Sequence, residues 1–106
     1  MPFADNLRQL PPVSHLDGLD LLDESGAEVA RIENAPGQAG SLAVYNFLAQ
    51  HFGAITPLAA QTGLELYAEH TADARAHPGK HPNIDRLFEL IGNGTRLRVR
   101  HRFGGA

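Results

Sequence analysis

A chain of 106 residues, 42% apolar and 20% charged, has the balance of one ordinary globular domain, which excludes the disordered and fibrous classes. The absence of cysteine excludes disulfides, thiolate zinc sites and thiol nucleophiles, so any metal falls to His, Asp or Glu. A net charge of −3 argues against a general nucleic-acid binder, but the charge is unevenly placed: residues 1–94 hold five Lys or Arg against twelve Asp or Glu, and residues 95–106 hold four Arg and no acid.

The opening "MPFADNLRQL" carries no basic segment ahead of an apolar run, and no stretch approaches the roughly 18 residues that span a bilayer. A cytoplasmic, membrane-free protein is the expectation. Asp5 to Leu10 is a short helical pattern stopped by Pro11 and Pro12, read as part of an N-terminal arm (residues 1–12) that packs through Leu7 and Leu10. Two short apolar runs, 16–23 and 28–33, joined by "DESG", predict a β-hairpin over 16–33.

"NAPGQAGS" reads as a loop, with Ser41 as the cap of a helix from Leu42 to His51 or Phe52 and Gly53 beyond its end. Thr56 and Pro57 supply a second start. A helical face of Ala60, Leu64, Tyr67, Ala68, Thr71 and Ala74 then runs towards Pro78, opposite Glu65, Glu69, Asp73 and His77, with Leu66 the one apolar residue on the polar side. Asn83 is the expected cap of a last helix through Ile84, Leu87, Phe88 and Ile91, ended by "GNG" within a helical region spanning 41–92. "TRLRVRHRF" closes the chain as a strand over 95–103. These elements predict an α+β fold: a three-stranded, mainly antiparallel sheet, made from the N-terminal hairpin plus the C-terminal strand, packed against two to three helices. Leu42, Tyr45, Leu48, Phe52, Leu64, Leu87, Phe88 and Ile91 should form most of the core.

Three groups of residues carry candidate chemistry. In the last strand, the two-residue period puts Arg96, Arg98, Arg100 and Arg102 on one sheet face, where they either follow a phosphate backbone or balance the acids of the hairpin. The balancing role is preferred, because no aromatic residues interleave on that face for base stacking, which makes nucleic acid a poor partner. "HTADARAHPGKH" holds His70, Asp73, His77 and His81. One helical turn separates Asp73 from His77, and His81 returns from the Pro-Gly bend, so the set suits a divalent metal such as zinc or iron. Without a metal, Asp73 and His77 offer an acid and base pair. The competing reading is a solvated helix face, with His77 complementing the helix dipole. Gly40 and Ser41 supply a third candidate, anion binding by free amides at a helix start, against the plainer reading of a capped loop.

"GQAGSLAVYNFLAQHFG" and "EHTADARAHPGKHPNIDRL" resemble a family of small bacterial single-domain proteins of unknown function, with the similarity running from about the hairpin to the last helix. The resemblance implies a bacterial, cytosolic protein and assigns no activity, cofactor or catalytic residue. No catalytic signature stands out from its plainer reading, which leaves the enzyme question open. The leading expectation is a non-enzymatic binding or protein-interaction domain, with a homodimer or other protein partner engaging an exposed strand or the uncovered sheet face. The alternatives are a metal-binding protein or metal-dependent enzyme using residues 70–81, and nucleic-acid or anion binding through the arginine strand.

Overall fold

The structure, a computed structural model, describes residues 2–104. The elements in chain order are α1 (Phe3–Arg8), β1 (Leu16–Leu22), β2 (Glu28–Glu33), α2 (Ala39–Phe52), α3 (Pro57–Tyr67), α4 (Glu69–Ala76), α5 (Pro82–Asn93) and β3 (Arg98–Phe103). The α+β class and the antiparallel three-stranded sheet agree with the sequence. Among the described residues five helices are present where two to three were expected, because the N-terminal arm is itself helical and the segment after Thr56 is divided in two.

The strand order is β2-β1-β3, so the hairpin's first strand is central and the arginine strand pairs along it antiparallel. Alternation of side chains then decides both faces. Leu19, Leu21 and Ile32 point towards the helices and are fully buried with Leu42, Val44, Tyr45, Leu48, Ile55 and Leu87. Phe52, Leu64, Phe88 and Ile91, expected in the core, lie at its margin and are only half-buried. The fully buried Asn46 of α2 reaches β3 through this layer, accepting from His101 Nε2 at 2.9 Å.

Local chemistry explains the helix boundaries. Thr56 Oγ1 accepts from the Ala59 amide at 3.1 Å with Pro57 at the first helical position, as its sequence indicated. Gly63 does not break α3. It lies buried inside the helix, where the absence of a side chain lets Leu48 of α2 and Leu87 of α5 close in. Ser41 and Asn83 are not caps: α2 begins two residues before Ser41, behind Gln38, and α5 begins at Pro82, behind His81.

The helical face running from Ala60 to Ala74 is interrupted at Ala68, whose φ of 53° and ψ of −116° no L residue adopts without strain. Side chains take over the carbonyls that the break exposes. Thr71 Oγ1 donates to Leu64 O at 2.5 Å, and Asn6 Nδ2 of α1 donates to Leu66 O at 3.0 Å. Ala68→Gly is therefore expected to stabilise the protein by about 1 kcal/mol, since glycine accepts positive φ without a Cβ penalty. Thermal unfolding followed by circular dichroism checks this, and a lowered melting temperature would count against strain at this site.

Candidate functional site

The break at Ala68 redirects α4 so that its first turn, α1, the start of α2 and the start of α5 surround one cleft of about 450 Å³. Its polar wall is made by Gly40, Ser41, Tyr67, His70, Lys80 and His81. Phe3, Leu7, Pro82 and Ile84 supply an apolar wall. The two stretches that drew separate expectations, one for anions and one for metals, thus meet across a single opening.

At the start of α2 the Ala39 and Leu42 amides bond to Ala35 O and Gln38 O, whereas the Gly40 and Ser41 amides between them make no backbone bond among the described residues. Gln38, at the cap position, does not cap them, because its side-chain oxygen accepts from the Glu33 amide at 3.1 Å. The Ser41 hydroxyl has a buried partner: Tyr67 OH donates to Ser41 Oγ at 2.7 Å. Burial raises the Tyr67 phenol far above its ordinary value, so it stays a donor. Ser41 accepts this bond, which leaves its own proton available for donation.

Behind the opposite wall, Asp73 ties two cleft residues together. Its Oδ2 lies 2.6 Å from His81 Nε2 and 2.9 Å from Lys80 Nζ. The His81 hydrogen bond, then the Lys80 hydrogen bond, hold the Asp73 carboxyl at about 2. Because that value lies below the ordinary aspartate range, the pairing is complete at neutral pH and is lost only as pH falls towards 2. His70 has no hydrogen bond among the described residues. Its ring meets Phe3 edge-on at 5.1 Å and lies 5.8 Å from the His81 ring, centroid to centroid.

The donors expected to share a metal are thus only partly brought together. His77 is exposed, with Nε2 3.9 Å from Asp73 Oδ1, and the oxygen nearest His81 is also occupied by the Lys80 ammonium. Among the described residues, no group of three or more His, Asp or Glu is arranged to hold an ion. The arginine strand divides in two. Arg100 and Arg102 engage Asp20, Glu28 and Glu33 across the outer sheet face, while Arg96 and Arg98 make no ion pair among the described residues. The outer face expected to be uncovered carries this layer of paired charges.

Over residues 3–101 the chain matches the model of a family described as "Uncharacterized protein conserved in bacteria (DUF2322)". The chain belongs to this family. The DUF2322 match reaches beyond the hairpin-to-last-helix range of the resemblance at both ends, taking in α1, which walls the cleft, and β3 as far as His101. No curated protein and no solved structure matches the chain. Among the described residues of this DUF2322 protein, no helix is long and apolar enough to cross a membrane.

Sequence reasoning named Gly40, Ser41, His70 and His81 but missed Lys80, Tyr67 and Phe3 as their neighbours. The signal for Lys80 was its place beside His81 at the bend, which becomes informative once Asp73 is seen to hold both.

Proposed function

We propose that this protein is a small binding domain, and that the cleft between α1, α2, α4 and α5 takes a ligand with a compact oxyanion head. One observation carries the reading: hydrogen-bond donors and a cation stand on the polar wall, and among the described residues no carboxylate lines the cleft. Ser41, Lys80, His70 and Gly40 all line this one cleft, and hydroxyl, ammonium, imidazole and free helix-start amide groups of this kind bind anions. Asp73 stands outside the cleft lining and acts by holding Lys80 and His81 in position.

Inorganic phosphate and acetate are the probes, with the Gly40 and Ser41 amide resonances as the readout. Both amides should shift in a saturable way, and Lys80→Ala should weaken binding by about tenfold, the loss of one charge-assisted contact. Scattered, non-saturating shifts centred on Arg96 and Arg98 would overturn the assignment and move anion binding to the strand.

A further inference from the structure

We infer that the ligand of this cleft is a monocarboxylic acid with an apolar body, a short alkyl or aryl group, rather than a phosphate. The inference rests on the anion-binding reading above and extends it in two respects, charge and body.

Charge comes first. Among the described residues no arginine lines the cleft, and its lysine already lies 2.9 Å from the Asp73 carboxylate, which remains ionised at neutral pH. A phosphate monoester brings close to two negative charges at that pH and is usually met by arginine forks or several unpaired cations. Here Lys80 and Asp73 nearly cancel. The remaining complement includes the uncharged Ser41 hydroxyl and the Gly40 and Ser41 amides, beside the His70 ring. Such a set suits two oxygens sharing one charge.

The second respect is the apolar wall. Phe3 stacks on Tyr67 with centroids 5.3 Å apart, and Phe3 and Leu7 also close over Gly40, where a side chain would meet both. No residue of α1 is fully buried, so Phe3 and Leu7, which line the cleft, keep part of their apolar surface open. A volume of about 450 Å³ is far more than a carboxylate fills and falls in the range of sites that enclose a small organic molecule. An alkyl or aryl body displaces water from this wall and gains with each methylene buried, whereas a bare anion gains nothing there.

The test is a ligand series on the full chain, read at the Gly40 and Ser41 amides: acetate, hexanoate, phenylacetate, hexyl phosphate and hexanol. Hexanoate and phenylacetate should bind at least about tenfold more tightly than acetate, from the apolar surface they bury. Hexyl phosphate should bind more weakly than hexanoate, and hexanol more weakly than either acid. Leu7→Ala should remove most of the gain of hexanoate over acetate. Because Leu7 also holds α1, the wild-type series decides the matter if that variant is loosened. Equal affinity for acetate and hexanoate would overturn the apolar body, and tighter binding of hexyl phosphate would overturn the carboxylate. Either result leaves the anion-binding reading standing. No saturable shift at these amides with any of the five, nor with inorganic phosphate, would sink both together.

Discussion

Asp20→Ala is expected to destabilise the protein by about 3 kcal/mol, a large share of the roughly 5 to 10 kcal/mol available to a domain of this size. Asp20 lies at the centre of the outer sheet face with its side chain only 2% exposed, beneath the guanidinium groups of Arg31, Arg100 and Arg102. Its Oδ1 takes Arg102 Nε at 2.8 Å and Arg31 Nε at 3.3 Å. Its Oδ2 takes Arg100 Nε at 3.0 Å and Nη2 at 2.8 Å. Removing the carboxylate leaves three guanidinium groups crowded around a void. Their partial exposure tempers the cost, since Arg31 and Arg100 remain more than half exposed and water screens them.

The pH dependence follows from the same geometry. Burial pushes the Asp20 carboxyl up, and the hydrogen bonds and charges of Arg100 and Arg102 outweigh it, so its net position is below the ordinary aspartate value. A lowered folded-state pKa contributes stability that is fully present above the unfolded value of about 3.9 and is lost as pH falls through the lower folded value. Urea unfolding of wild type and Asp20→Ala should therefore differ most at neutral pH, and the gap should narrow below about pH 4. A neutral-pH difference under about 1 kcal/mol would show that the arginine layer is ordinary surface pairing.

Gly18→Ala is expected to cost about 2 to 3 kcal/mol, for a reason specific to the middle of the sheet. Gly18 is buried in β1 between Glu33 of β2 and Arg102 of β3. A Cβ at this position would collide with the Ile32 carbonyl oxygen and with the Arg102 guanidinium, which crosses Gly18 on its way to Asp20 and Glu33. The side chain can swing away, but the carbonyl cannot move without disturbing the β1 and β2 pairing. For a domain of about 100 residues this corresponds to a melting temperature lowered by about 10 °C or more. Because displacing Arg102 also weakens its hold on Asp20, Gly18→Ala and Asp20→Ala together should cost less than their sum. Strict additivity in a double-mutant cycle would separate the two sites.

Much of the framework was legible from short-range patterns. The hairpin was marked by apolar runs around a glycine turn, α3 by Thr56 and Pro57, and α2 by its apolar spacing and Gly53. Charge accounting along the chain anticipated that hairpin acids would oppose the arginine strand, and Arg100 and Arg102 confirm it. The same accounting gave no sign that one residue, Asp20, would take three arginines, because several acids in the hairpin were equally available. Ala68 was hidden for a different reason. Alanine is the residue least expected to leave a helix, and bonds from Thr71 and Asn6 to the freed carbonyls help to make the break tolerable.

Sequence by itself determined the fold class, the three strands and the sign of the charge on each, because these follow from periodicities of two and 3.6 and from glycine and proline at the turns. Tertiary structure decided the cleft. Gly40 and Ser41 stand some thirty to forty residues from His70, Lys80 and His81, and no local preference says that α4 must turn at Ala68 to bring them together. Long-range bonds do so, above all Tyr67 OH to Ser41 Oγ and the Phe3 amide to Glu69 Oε1 at 2.8 Å. A donor-lined opening between segments so far apart in the chain exists only after packing has paired their apolar faces.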